Sequence, residues 1–404
     1  MSLRTPHTPY ICAQCLIKQQ CKSIASKHRL FSSTSTKAVA SPAPPPPTSG
    51  AARLTNRHLL SLAGPDAPKF LQGLITNNVL LPPARQAPFF AAFLTGQGRV
   101  LQDVFIYPTP EEEPGYMVEV DSGEVESLAR HIKKHKLRSK FRMRVLEEGE
   151  MGVWSIWREE DRWTRHSPAT SATSTDNAIL TAIDSRAPTL GSRLLLPPSS
   201  SSKPLPAELE LEEAPLSAYT IRRYMLGVPE GQKEIAREES LPMNFNLDLM
   251  GGIDFKKGCY TGQELTIRTH HTGVVRRRVL PVLLYPHDRE TPQGLEYSTQ
   301  SADTVKSVLG GEDSGIGEGD IRRDDARKRS TGKLIARMGN VGLGLCRLEQ
   351  MSDLSISGEG SSFSPEDEFM VEGTDGKAVG VKAFVPDWIR GRLRGPKVQR
   401  RVDT

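Results

Sequence analysis

The sequence predicts an α+β protein that ends in a small β-barrel, and three observations carry that expectation. Helix-period and strand-period patterns are mixed through the first part of the chain. Five short strand patterns crowd the C-terminal part, the arrangement of a small closed barrel. The 404 residues, 37% of them hydrophobic, suffice for two ordinary cores, while 34 glycines and 30 prolines mark linkers and insertions that do not pack. No run approaches about eighteen apolar residues, so a membrane-spanning helix is excluded. Five cysteines in this length cannot form a disulfide scaffold.

Charge is unevenly placed. No acid precedes Asp66, whereas Arg4, Lys18, Lys22, Lys27 and Arg29 lie in the first 31 residues. A basic, Ser/Thr-rich, acid-free start is the composition of a mitochondrial transit peptide, with cleavage expected after Phe31. Removing residues 1–31 takes away the whole net charge of +5, so the basic balance is an address and gives no support for a nucleic-acid partner. Cys12, Cys15 and Cys21 fall inside this segment and are set aside as a metal motif, which leaves Cys259 and Cys346.

Residues 32–52 read as a Pro-rich linker. From Arg53 the pattern turns globular. Leu59, Leu60 and Leu62 read as a strand, and Gly64-Pro65-Asp66 opens a helix over residues 67–74. Residues 89–94 and 100–107 form a hairpin about a glycine-bearing loop. Val125, Leu128 and Ile132 mark an amphipathic helix over residues 122–136. Basic residues then alternate with Leu137, Ser139, Phe141, Met143 and Val145, which predicts a strand over 136–145 with a solvated basic face. Residues 159–177 and 196–213 read as surface insertions. Residues 217–227 read as a helix closed by Gly227, with Pro229 beyond it. The expected division is an α+β region over 53–275, a barrel over 276–388 and a solvated basic tail over 389–404. Residues 286–330, interrupting the barrel, are too polar to fold alone.

The segment that carries chemistry is Lys256-Lys257-Gly258-Cys259-Tyr260-Thr261-Gly262-Gln263-Glu264. Thr261 and Glu264 have capping-box spacing, which predicts a helix start running through Leu265, Ile267 and Arg268. Cys259 would then sit before a helix N-terminus, beside two lysines that favour thiolate, the form that attacks or binds metal. Gly258 and Gly262 would let a backbone or ligand approach closely. The competing reading of a lone cysteine is a small buried apolar residue. His270 and His271 read as structural, because adjacent helical residues point apart.

The eight residues KGCYTGQE resemble the signature of the YgfZ-type folate-binding-fold proteins, relatives of the glycine-cleavage aminomethyltransferase (T-protein). The resemblance extends through Phe70-Leu71-Gln72-Gly73-Leu74-Ile75-Thr76-Asn77, the hairpin from Phe93 to Asp103, the segment from Arg223 to Pro229, and Gly342 to Arg347. It implies an aminomethyltransferase-like ring of α+β layers about a channel, capped by the barrel. In relatives that bind tetrahydrofolate the cofactor occupies that channel, and by resemblance Asn77, Arg99, Asp103 and Arg223 lie near it. Each has a structural alternative: Asn77 closing a helix, Asp103 pairing with Arg99, Arg223 on a helix surface. The chain departs from the aminomethyltransferase where Gln102-Asp103 replaces a pair of acids and Met225 replaces a glutamate.

For the mitochondrial members, the resemblance implies a matrix factor in iron–sulfur cluster assembly serving [4Fe-4S] clients of the aconitase and lipoyl synthase type. Its implied partners are A-type cluster carriers and client apoproteins. Cys259 would be a transient cluster or iron ligand or a redox-active thiol, with Lys257 and the rest of the motif (Gly258, Tyr260, Gly262, Gln263, Glu264) around it. The rival is a tetrahydrofolate-dependent one-carbon transferase. An RNA-interacting module using the 136–144 stripe and Arg276-Arg277-Arg278 is a weaker third, since the mature chain is neutral and the stripe lacks stacking aromatics. Neither a nucleic-acid nor a membrane partner is expected.

Overall fold

The computed structural model describes residues 41–80, 87–109, 113–159, 180–197, 205, 209–310, 319–325, 329–357, 360–373 and 376–393. The presequence and, apart from Glu159, the 159–177 insertion expected from composition lie outside these residues. The described residues form one compact unit.

Strands β1 (Ser49–Arg53) and β2 (Arg57–Ala63) lead to helix α1 (Ala67–Leu74), then β3 (Phe89–Leu94), β4 (Val100–Thr109) and β5 (Gly115–Asp121). A 3-10 turn runs into α2 (Val125–Lys136), followed by β6 (Arg142–Val145), β7 (Gly152–Arg158), β8 (Leu180–Ile183) and β9 (Ser192–Leu196). Two helices follow, α3 (Leu216–Leu226) and α4 (Gln263–Thr272). The barrel region holds β10 (Arg277–Pro286), α5 (Thr299–Leu309), β11 (Gly319–Arg323), β12 (Ser330–Met338), β13 (Val341–Arg347), α6 (Leu348–Met351), β14 (Phe369–Glu372), β15 (Ala378–Ala383) and α7 (Asp387–Arg392).

The strands make three antiparallel assemblies: a five-stranded sheet ordered β3-β4-β5-β2-β6, a four-stranded sheet ordered β1-β7-β9-β8, and a closed barrel ordered β10-β13-β12-β11-β14-β15. The period of two decides what goes where. Leu60 and Leu62, Val104 and Ile106, and Val118 and Val120 bury one face of the five-stranded sheet beneath Phe70, Leu71 and Leu74 of α1 and Leu128 and Ile132 of α2. The opposite face carries Leu59, Phe105 and Tyr107 into a second core, which also takes Leu195 of β9 and the apolar residues of the barrel. Arg57, Asp103 and Glu119 share the parity of that second face, and all three are buried.

Several expectations change. The Pro-rich linker does not continue to residue 52, because Ser49–Arg53 is an edge strand paired with β7. Pro47 O accepts a 2.9 Å bond from the Trp157 indole, and Ala43 O accepts one of 2.6 Å from Tyr297. Nor is 136–145 one strand: α2 continues through Lys136, and only Arg142–Val145 pairs, with β2. The segment 286–330 holds a helix, α5, and the barrel strand β11, because Ala302 and Val305 bury against the barrel and Ile321 enters its core. The tail is not wholly solvated: Ile389 is fully buried, and Trp388 donates to Leu226 O at 3.0 Å.

β1 satisfies the backbone of β7 and covers Trp157, one of the largest fully buried side chains. A chain starting after Arg53 should therefore melt well below one starting at Ser41, by an amount corresponding to about 3–5 kcal/mol of lost burial. Thermal unfolding of the two chains checks this, and equal melting temperatures would return the segment to the status of a linker.

Candidate functional site

The loop around Cys259 is built on the end of α1. A helix C-terminus leaves its last carbonyls without partners, and Lys257 meets this need: its Nζ donates to Gln72 O at 2.8 Å, Ile75 O at 2.6 Å and Asn77 O at 2.9 Å. An ammonium has three hydrogens, so all are committed. Burial pulls this group down toward about 7, while Asp254 and the three carbonyls, which only the ammonium can satisfy together, favour the charged form. Further bonds tie the flanks: Asp254 N donates to Thr76 O and Thr261 N to Gly73 O, each at 3.0 Å. The Thr76 hydroxyl donates to Gly252 O at 2.6 Å. Tyr260 is buried, its ring 4.8 Å below the lysine nitrogen and its hydroxyl 2.9 Å from Thr266 Oγ1.

Between these anchors Gly258 and Cys259 face solvent. The competing reading of Cys259 as a buried apolar residue therefore fails, and it is Cys346 that fits it. Cys346 lies inside the barrel, where burial pushes its thiol up to about 12. Lys257 turns its hydrogens to the end of α1, away from the thiol.

The capping box does not form. Gly262, at φ +80°, is the N-cap of α4, and the Thr261 hydroxyl reaches Gly73 O at 3.4 Å instead. A Cβ on Gly262 would collide with Thr95 O, so this glycine lets the hairpin tip at residues 95–99 pack directly on the motif. Gly258 has no neighbour that a Cβ would touch, so only one of the two glycines is needed for close approach. Gln263 holds the turn through a 3.3 Å bond from Tyr260 N to Oε1, and Glu264 is exposed. His270 stacks on Phe255, ring centroids 3.5 Å apart, in keeping with a structural role.

The four residues expected near the channel separate. Asn77 is a backbone clamp, its Nδ2 donating to Phe90 O and Gly251 O at 2.8 Å each. Arg99 sits at the hairpin tip and donates to Glu239 O at 2.7 Å. Asp103 and Arg223 instead join one buried charge lattice between the two sheets. Asp103 accepts from Gly231 N at 3.1 Å and from Arg57 at 3.2 Å, so its partner is not Arg99. Arg57 also binds Glu119 at 2.8 Å, and Arg193 bridges Glu119 to Glu230. Arg186 pairs with Asp184 at 2.7 Å. Arg223 lies on a buried helix face, not a surface, and grips Glu234 through two bonds of 2.7 and 2.8 Å. Sequence reasoning missed Arg57, Glu119, Asp184, Arg186, Arg193, Glu230 and Glu234. The available signal was a charge inside an apolar strand, as in Tyr116-Met117-Val118-Glu119-Val120 and Ser192-Arg193-Leu194-Leu195.

Burial opposes the charged form of Glu230, but Arg193, Arg186 and Arg223 outweigh it and hold the carboxylate well below its ordinary range. Asp184 is lowered in the same way by Arg186 and Arg193 against its burial. The arrangement does not suit a pterin. A pterin's amide and amino edge calls for a free carboxylate, and both oxygens of Asp103 are engaged. The arginines also cover the aromatic faces a flat ring would use: Arg193 lies 4.4 Å from the Phe105 centroid and Arg186 5.4 Å from that of Phe90. Among the described residues, no group of three His, Cys, Asp or Glu side chains is placed to hold a metal ion.

This architecture defines a class. Over 86% of this chain and 88% of its own, the crystal structure of glycine cleavage system aminomethyltransferase T from Bartonella henselae is similar, with a TM-score of 0.58 at 14% identity, so the fold is of the aminomethyltransferase type. Residues 276–391 match the CAF17 C-terminal beta-barrel domain. The chain is 44% identical to the iron-sulfur cluster assembly factor IBA57 homolog, mitochondrial, of Aspergillus oryzae, across 93% of this chain and 90% of that protein. It is 45% identical to the Pyricularia oryzae counterpart across 86% of each. The chain belongs to the family of mitochondrial IBA57 iron–sulfur cluster assembly factors.

Removing Arg193 would leave Glu119 and Glu230 buried and half-paired, so Arg193→Met should cost about 3–5 kcal/mol in denaturant unfolding. The lowered carboxylates fix the sign of the acid response. Their contribution is present above the ordinary Glu and Asp values of 4.5 and 3.8, and is lost as pH falls further through the folded values. Wild-type stability should decline steeply in that acid range and the Arg193→Met decline should be shallower. A flat wild-type profile there would contradict the lattice.

Proposed function

We propose that the chain acts in the mitochondrial matrix as an iron–sulfur cluster assembly factor, with Cys259 as a transient ligand to cluster iron during maturation of [4Fe-4S] proteins. One observation carries this reading: the motif's single cysteine is held out to solvent on a loop fixed by Lys257, while the other described cysteine is sealed in the barrel. Ligation needs only the sulfur lone pair. The thiol proton leaves to solvent, and no oxidation state changes.

One thiolate cannot complete the ligand set of a cluster, which takes four protein ligands in its common forms. Among the described residues no group of three such side chains stands ready to add ligands, and on this reading a second protein supplies them. A-type carriers and the client apoproteins are the partners that the family resemblance implies. The matrix location rests on the basic, acid-free start of the sequence and on relatives named mitochondrial.

In cells whose own copy is replaced by Cys259→Ser, aconitase activity and lipoyl synthase-dependent protein lipoylation should fall together, to the level seen without the protein. Full rescue of both would remove the thiol from the mechanism. The transferase rival is tested by calorimetric titration with tetrahydrofolate, for which no heat is expected. Saturable heat that disappears in Asp103→Asn would favour the rival.

A further inference from the structure

The turn between α2 and β6 carries the densest single-sign charge in the chain. From Arg130 to Arg144 there is no acidic residue. Arg130, Lys133, Lys134, Arg138, Lys140, Arg142 and Arg144 are all exposed. A solvated strand face would account for these cations, but 136–141 is not a strand. Cations in the last turn of α2 complement its helix dipole, yet Arg130 precedes that turn and Arg138 and Lys140 follow it. Arg142 pairs with Glu113 and Arg144 with Glu150. Among the described residues, the other five have no ion pair.

A leucine stands in their midst. Leu137 is 89% exposed, the most of any large hydrophobic side chain among the described residues. It also holds φ +44°, a region that favours glycine and strains an L-residue. A chain selected only for stability would place glycine at this helix end. The strained backbone instead presents an apolar side chain to water with cations around it. Beside the tip, a depression lined by Asp66, Lys69, Phe70, Leu137, Arg138 and Ser139 adds the exposed cation Lys69.

We propose that this tip docks the protein peripherally on an anionic lipid surface, with Leu137 entering the headgroup–acyl boundary and the cations meeting lipid phosphates. Lysine and arginine suit this role because their stems lie along apolar surface while their charges reach outward. A soluble polyanion would account for the charge but not for the leucine, and RNA would call for exposed stacking aromatics that this stretch lacks. Helix α1 begins at the tip, where Asp66 accepts from Lys140 N at 2.6 Å, and ends under the Lys257 loop. Its eight residues span roughly 12 Å, so the thiol loop stands about one short helix away. This inference does not depend on the role given to Cys259. It revises the expectation, drawn from the lack of a spanning helix, that no membrane takes part.

The test is co-sedimentation with vesicles of phosphatidylcholine and phosphatidylglycerol in equal parts, against pure phosphatidylcholine. It uses the full chain and the chain from Ser41, which lacks the basic presequence and whose described residues form one compact unit. The Ser41 chain should bind the anionic vesicles only, and weaken as salt is raised. Arg138→Glu with Lys140→Glu should reduce binding by roughly tenfold or more. Leu137→Gly, placing the residue that this φ favours, leaves charge and fold intact and should still weaken binding severalfold. No binding to either vesicle overturns the proposal. So does binding that ignores Leu137→Gly and is matched by polyglutamate or RNA, which would make the tip a site for soluble polyanions.

Discussion

One ammonium under three carbonyls organises the loop that carries Cys259. Lys257 reaches back to α1 and satisfies Gln72, Ile75 and Asn77, none of which the helix can satisfy itself. Hydrogen bonds to a charged group are each worth about 1.5–3 kcal/mol net, enough to hold a loop that contributes few apolar contacts of its own. With Tyr260 buried on one side and Gly262 wedged against the hairpin tip on the other, the two residues between have one direction left, toward solvent. Cys259 is thus exposed by construction, not by loop mobility.

The interior of the molecule gives the complementary half of the picture. The space between the two sheets is not filled by apolar side chains alone. Here it holds arginines and carboxylates that pair with one another across β2, β4, β5, β9 and α3. Such a lattice is costly to desolvate and more costly to break, so it fixes how the two sheets meet. The exposed thiol lies outside this lattice, on a surface loop.

Much of this was legible in the sequence, for physical reasons. The helix starting at Ala67 and the one closed by Gly227 at φ +71° carry strong local signals, and both form as expected. The long strands of the hairpin and most of the barrel read as apolar runs. What escaped was set by distant contacts. β1 is a strand only because β7 offers it an edge, and β11 only because β12 and β14 flank it. The capping box around Thr261 was a sound local expectation, overruled by the contact between Gly262 and the hairpin. In the motif, the flanking lysines and glycines marked Cys259 as a candidate, and the structure leaves it exposed. Asp103 and Arg223 were found without their partners, because nothing in a single strand shows that a buried charge is answered from the other sheet.

The central claim is that the lysine matters by placing the sulfur, and the most direct measurement isolates that effect. Lys257→Met, with Cys259 intact, would be mixed anaerobically with a cluster-loaded carrier and followed by circular dichroism in the visible range. The account predicts that the signal of a shared cluster is lost nearly as completely as in Cys259→Ser, although the thiol is still present. A Lys257→Met protein that gave the wild-type spectrum would contradict it, since the loop would then present its sulfur without the anchor.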